Sequence, residues 1–307
     1  MKRKTIKAIL RKKFDKWTAT IKDEGLRDRV RDNSIITGGA ITSMLMNEPV
    51  NDFDIYFRDF DTALAVAIHY VDAFGSTVNT PRGEEEIKVG SRDPIDGTEE
   101  RRIKIHIPSA GIASVGNDED YVFFETDPNA ESEAATQYIE AAKAGAEKEK
   151  EGNEYKPIFL SANAITLSGK IQLVVRFYGE ADAIHENYDF HHCTSYWQSW
   201  DSHLELRPAA MEAILAKELR YQGSKYPLCS IIRTRKFIGR GWHINAGQYL
   251  KMCMQLNALD LTSFEVLEEQ LTGVDTAYFH ELLNKVREHD PTGVDTCYLL
   301  ELVDKIF

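Results

Sequence analysis

Apolar residues at Ile6, Leu10, Phe14, Trp17 and Ile21 return every three or four positions with Lys and Arg between them. This spacing predicts an amphipathic helix that opens the chain and ends near Gly25. Ile35 to Thr37 is a short apolar run that meets Gly38 and Gly39, and Ala40 to Met46 then reads as a helix until Asn47 to Pro49 breaks it. Asp52 to Phe57 reads as a strand. Thr62 to Phe74 reads as a helix with Leu64, Ala67, Ile68 and Val71 on one face.

From Pro81 to Lys156 the pattern loosens. Arg102 to Ile107 and Tyr121 to Glu125 are short strand candidates, and the Ala, Glu and Lys run between Asn129 and Gly152 reads as a solvated helix or a mobile insertion. Pro157 to Leu167 and Lys170 to Phe177 flank Ser168-Gly169 as a β-hairpin, followed by a short helix over Glu180 to Glu186 and a strand over Tyr188 to Cys193. Beyond Trp200 the chain reads as helical. Its end carries a duplication, "LTGVDTAYFHELLNKV" from Leu271 and "PTGVDTCYLLELVDKI" from Pro291, identical at nine of sixteen positions. Two copies are too few for a self-supporting solenoid, so each reads as a turn and helix that packs on its twin or on the body, or docks a protein partner.

At 307 residues and 43% hydrophobic content the chain can bury a substantial core. No apolar run reaches the roughly 20 residues of a membrane span, and the reading is a cytoplasmic protein that does not engage a membrane. Cys193, Cys229, Cys253 and Cys297 are scattered without a CxxC pair, which indicates neither a zinc site nor a disulfide framework. The net charge of -12 argues against a protein that coats nucleic acid, but it is unevenly spread. Met1 to Asp32 holds twelve basic residues against five acidic, and Lys217 to Lys251 holds eight against one. Two basic segments on an acidic body suggest a local site for phosphates.

The chemistry concentrates in "GGAITSMLMNEPVNDFDIYF", Gly38 to Phe57. Side chains alternate across a strand, so Asp52 and Asp54 share one face, ~7 Å apart at Cβ, while Phe53 and Ile55 face the core. A divalent cation shared by the pair offsets the cost of placing like charges together. Gly38 and Gly39 lack Cβ atoms and precede a helix, an arrangement that lets backbone N–H groups approach a triphosphate, with Thr42 or Ser43 as a hydroxyl donor or as plain helix surface. His191, His192 and Cys193 form a second cluster of metal-binding residue types, but adjacent strand residues point to opposite faces and ligate together poorly. Arg233, Arg235, Lys236 and Arg240 suit phosphate contact or a solvated helix face. Tyr196, Trp197 and Trp200 suit base stacking or, more simply, core packing.

The Gly38 to Phe57 stretch resembles the signature of the DNA polymerase β-like nucleotidyltransferases, especially the branch of CCA-adding enzymes and poly(A) polymerases. Thr42 and Ser43 stand where that branch carries Arg-Asp. "KIQLVVRFYGEADAIHENYDFHHC", Lys170 to Cys193, is similar to the stretch that brings the third carboxylate, here Asp189, and "YPLCSIIRTRKFIGRGW", Tyr226 to Trp242, to the helical segment after the catalytic domain. The matched motifs cover about a third of the chain, which most resembles nucleotidyltransferase-like proteins of tailed phages and large viruses.

The resemblance implies an α+β fold, a mixed sheet with flanking helices followed by an α-helical C-terminal domain. The boundaries it suggests are a basic helix over 1–33, a catalytic domain over 34–200 with an insertion at 82–156, a helical domain over 201–256 and the duplicated tail over 257–307. It implies two-metal transfer of a nucleoside monophosphate from an NTP such as ATP. Asp52, Asp54 and Asp189 would ligate Mg²⁺ or Mn²⁺, and Gly38, Gly39, Thr42, Ser43, Arg233, Lys236 and Arg240 would hold the nucleotide. His106, in "IKIHI", is an alternative third ligand. The acceptor implied is an RNA 3′ end such as that of tRNA. Nucleotidylation of a protein or small molecule, and a catalytically inactive nucleotide- or RNA-binding module, are the alternatives.

Overall fold

The computed structural model describes residues 1–75, 77–80, 83–92, 101–107, 112–114, 121–123, 155–271, 286–289, 294 and 298. The chain opens with two helices, α1 (Arg3–Thr18) and α2 (Glu24–Asp32), where the apolar periodicity predicts one. The break follows Thr18, and Asp23 caps the second helix by accepting the Leu26 N–H at 3.0 Å. Ile21 lies in the connecting turn yet is 1% exposed, so its place in the apolar series persists without helical backbone. Gly25, expected as a helix end, sits inside α2.

β1 (Ser34–Thr37), α3 (Gly39–Met46), β2 (Phe53–Phe57) and α4 (Phe60–Phe74) follow as the pattern predicts. The buried face of α4 is centred on Ala63, Val66, Ala67, Tyr70 and Phe74, while Ile68, expected on that face, is 45% exposed. Next come β3 (Thr77–Thr80), β4 (Gly83–Glu86), β5 (Lys88–Arg92), β6 (Arg102–His106), β7 (Ile112–Ser114) and β8 (Tyr121–Phe123). The expected hairpin comes as three strands, β9 (Pro157–Leu160), β10 (Ala164–Leu167) and β11 (Ile171–Tyr178), because Ser161 turns the chain by bonding Ala164. The solvated run at 129–152 and both copies of the duplicated tail, apart from a few positions, lie outside the described residues.

α5 (Ala181–His185), β12 (Tyr196–Gln198), β13 (Leu204–Glu205), α6 (Pro208–Ala216), α7 (Pro227–Gly239), α8 (Ala246–Leu256) and α9 (Phe264–Leu271) complete the described chain. Nine strands form one mixed sheet in the order β13-β12-β1-β2-β11-β10-β9-β7-β8. β2 and β11 run parallel, and the other neighbouring pairs are antiparallel. The expected mixed sheet with flanking helices is therefore the observed architecture. Among the described residues no helix is long and apolar enough to cross a membrane.

The main core lies on one face of this sheet. Ile6, Leu10, Phe14 and Trp17 of α1 meet α2, α3 and α4 over Ile36, Phe53, Ile55 and Phe57. Each such side chain, fully buried, contributes about 1.5–3 kcal/mol. Ile87, Ile103 and Ile105 join the same core, so the 82–156 segment supplies part of the packing of the body. The other face carries a smaller cluster of Ile35, Tyr56, Val174, Ala181 and Ile184. A third cluster of Phe190, Ile214, Leu219, Tyr221, Trp242 and Met252 belongs to the C-terminal helices and their connections.

Candidate active site

Strand alternation sets the face. Phe53, Ile55 and Phe57 enter the main core, so Asp54 and Tyr56 project from the opposite side of β2, next to the paired strand residues Thr37 and Ile35 of β1. Gly38 turns the chain from β1 into α3 at φ +92°, ψ -151°, backbone that is essentially reserved for glycine. A Cβ there would stand 2.7 Å from Asp54 Oδ2 and 3.5 Å from the Tyr188 hydroxyl, so the missing side chain is the space the carboxylate occupies. A Gly38→Ala variant is accordingly expected to lose about 1–3 kcal/mol from backbone strain alone, with further loss from the overlap. Gly39→Ala, whose Cβ meets nothing within 4 Å, is expected to keep wild-type stability. Chemical denaturation of the two variants checks the contrast.

The glycine pair thus divides its roles differently from the phosphate cradle expected of both. The Gly38 N–H donates to the Cys193 carbonyl at 3.2 Å and is committed to the fold. Gly39 is exposed at the first turn of α3, and no side chain caps that helix among the described residues. The Thr42 hydroxyl, expected near phosphate, donates to the His192 carbonyl at 2.7 Å and ties α3 to the 191–193 turn. Ser43 is half-buried on α3.

Burial, reinforced by the neighbouring Asp52 charge, pushes the Asp54 carboxyl well above the usual carboxylate range, and Arg233 and Lys236 oppose the rise. Tyr56 and Tyr188 complete this wall: their hydroxyls are bonded to each other, and burial followed by the charges around them raises both phenols. Period-two alternation from Asp54 singles out Tyr56, a residue for which the sequence pattern suggested no role in the site.

Asp189 lies in the same neighbourhood, since the Cys193 thiol is raised first by burial and then by Asp189 and Asp54 together. The segment around it is not the expected strand. Phe190 makes one bridge to Tyr221, and residues His191–Cys193 close a 3-10 turn. His192, 1% exposed, packs its ring 4.3 Å from Trp242 and 4.7 Å from Phe237, and this aromatic seat decides the local backbone over strand propensity.

Asp189 is 6% exposed and accepts a hydrogen bond from Arg233 Nη1 at 3.0 Å. Burial works against the Arg233 charge, but Asp189, joined by Cys229 and Tyr56, raises the guanidinium above its usual range. Arg233 and the exposed Lys236 lie at helical spacing on α7 and both act on Asp54, and the exposed Arg240 caps the C-terminus of that helix.

Among the described residues no three His, Cys, Asp or Glu side chains are grouped to hold a metal ion. The donor set fits a cation in part. Asp52 and Asp54 are like charges crowded together with one carboxyl strained toward neutrality, the electrostatic condition that a divalent ion relieves. Asp189, expected as the third ligand, is engaged by Arg233 instead. The alternatives fall elsewhere: His106 is exposed on β6, Trp197 is in the main core, Tyr196 packs 5.8 Å from the His185 ring, and Trp200 lies under Arg58 at 4.2 Å. His191, His192 and Cys193 do not form a ligand cluster.

Asp54 on β2 and Asp52 just before it, with Asp54 beside the Gly38 turn and acted on by Arg233 and Lys236 of α7, form the candidate site of a mixed-sheet protein with flanking helices. The model of the Gabija anti-defense 2 (Gad2) family matches residues 8–217, and the chain belongs to that family. Among solved structures it is similar to the Thermotoga maritima CCA-adding enzyme complexed with tRNA, at 10% identity and a TM-score of 0.37 over 92% of this chain. The match spans 57% of that enzyme's chain. No curated protein matches the sequence.

Proposed function

We propose that the protein is a nucleotidyltransferase that moves a nucleoside monophosphate from an NTP to a hydroxyl acceptor. The observation that carries this reading is the closeness of Gly38 and Asp54: a residue without a side chain lets a half-buried, charge-strained carboxylate sit at the start of α3. Asp52 and Asp54 would hold Mg²⁺ or Mn²⁺, which when bound neutralises phosphate charge and lowers the pKa of a hydroxyl nucleophile. The exposed first turn of α3 at Gly39 receives the triphosphate with its N–H groups and positive dipole end. Lys236 of α7 and Arg240 at its C-terminal cap supply further positive charge, and Arg233 places a guanidinium near Asp54 and Tyr56. Positioning and charge neutralisation do most of the catalytic work in such transfers.

The acceptor we favour is an RNA 3′ end, tRNA included, with α7 and its flanking basic residues as the phosphate-contacting surface. A second reading, a protein acceptor, is favoured by the net charge of -12, which leaves little basic surface outside two segments. The anti-defense family name makes a defence protein a natural acceptor in that reading. Incubation with labelled NTPs, Mg²⁺, a tRNA mixture and host protein extract separates the two. Label on RNA supports the first reading and label on protein the second. Label on neither, with NTP left intact, refutes nucleotidyl transfer.

A further inference from the structure

Asp54 lies beside Asp52 and feels Arg233, and Arg233 in turn is paired with Asp189, so this chain of pairings determines how many cations the site accepts. Asp189 is closed in: one oxygen takes the Arg233 Nη1 hydrogen bond at 3.0 Å, and the residue is 6% exposed. Its backbone is pinned as well, because its carbonyl accepts the Gln222 N–H at 3.0 Å and the next residue bridges to Tyr221. Arg233 is half-exposed but anchored at its base. It comes from the middle of α7, whose Ser230 and Thr234 are buried and whose Phe237 packs against Phe190 and His192. A guanidinium does not deprotonate at physiological pH, so it cannot give way to a cation by losing its charge.

The charges agree with that geometry. With all three carboxylates ionised, as cation binding at Asp54 requires, Asp52, Asp54 and Asp189 bring three negative charges, and Arg233 and Lys236 return two positive ones. One divalent ion more than neutralises the remainder, whereas a second would add positive charge beside the Arg233 guanidinium that Asp189 already holds in place.

We infer that Asp189 is the anchor of Arg233 and not a metal ligand, so that the site takes a single divalent cation, between Asp52 and Asp54, and draws its second positive charge from the Arg233 guanidinium. Asp189 is then a positioning residue: it aims a fixed cation at the space beside Asp54, where the triphosphate is proposed to lie. This inference rests on the nucleotidyltransferase reading for the triphosphate, but its cation count is measurable without turnover.

Mn²⁺ binding to the intact chain, followed by loss of the free-ion electron paramagnetic resonance signal with and without a non-hydrolysable NTP analogue, provides the test. The wild type is expected to bind one Mn²⁺ per chain. Asp54→Asn is expected to abolish that binding. Asp189→Asn is expected to keep it within about threefold, whereas loss of a true ligand or of its supporting partner costs about 10–100-fold. The same variant should weaken retention of the NTP analogue, and Asp189→Glu, which keeps the charge for Arg233, should restore part of it. Two Mn²⁺ per chain, with the second absent in Asp189→Asn, overturns the inference and leaves nucleotidyl transfer standing. One Mn²⁺ per chain without any nucleotide transfer supports the single-cation site and sinks the enzymatic reading. No Mn²⁺ in the wild type overturns both. The wild-type count stands even if the variants fail to fold.

Discussion

Asp54→Asn is expected to lose nucleotidyl transfer by at least about 10³-fold, several kcal/mol of transition-state charge stabilisation, while the variant melts at a higher temperature than the wild type. The two effects have one cause. Burial and the Asp52 charge raise the Asp54 carboxyl, so the native state holds a proton that the unfolded chain releases in the ordinary carboxylate range. The group therefore subtracts stability as pH rises through and above that range, and an isosteric neutral amide removes the penalty. Mg²⁺ should raise the melting temperature of the wild type, because it binds the folded pair, and leave Asp54→Asn unmoved. Thermal melts with and without Mg²⁺, beside the labelled-NTP assay, check both halves. A variant that is less stable and equally active would place Asp54 in an ordinary structural role.

The second large effect is acid destabilisation through two buried histidines. Burial drives His185 down to about 3, helped by Arg207 and opposed by Asp182, and drives His192 down to about 4 against the pull of Asp189. Thr37 Oγ1 lies 3.0 Å from the Ser195 carbonyl and 2.8 Å from His185 Nε2. Its one proton suits the carbonyl, which leaves Nε2 to donate and Nδ1 buried without a partner among the described residues. Among the described residues nothing hydrogen-bonds either ring nitrogen of His192 in its aromatic seat.

Both rings are neutral in the fold and charge readily when unfolded, so the unfolded chain binds more protons below pH 6.5 and stability falls as pH drops from there toward 4 and 3. At pH 5 each ring costs about 2 kcal/mol relative to pH 8. His192→Met, of similar volume and unable to titrate, is expected to remove about half of the drop. Urea denaturation at pH 8 and pH 5 measures it. An unchanged pH dependence in His192→Met would show that this ring does not carry its share.

The β1-α3-β2 unit was legible because its signals are local. A glycine pair between an apolar run and a helical one, and carboxylates at period two beside an apolar strand, act over fewer than twenty residues, and the backbone rules alone place Asp54 opposite Phe53 and Ile55, with Asp52 just before the strand. Other elements were less legible. Ile21 keeps the apolar period of α1 while lying beyond its end, because burial needs only the correct side of the molecule and not continuous helix. The strand expected over Tyr188 to Cys193 gave way to a 3-10 turn because aromatic neighbours from α7 and its sequel, more than forty residues later, seat the His192 ring.

Charge pairing was hidden for the same reason. The sequence marks Asp189 and Arg233 each as a site residue, and nothing in their spacing of 44 says that they neutralise each other. The order of residues by itself determined the mixed αβ class, the glycine turn and the face on which two carboxylates stand, since backbone sterics and strand alternation work between near neighbours. Only the tertiary structure decided that Gly38 serves as clearance for Asp54, with its N–H spent on Cys193, and that the third carboxylate answers to an arginine. Contacts between distant segments depend on how helices pack over a sheet, which no local period records.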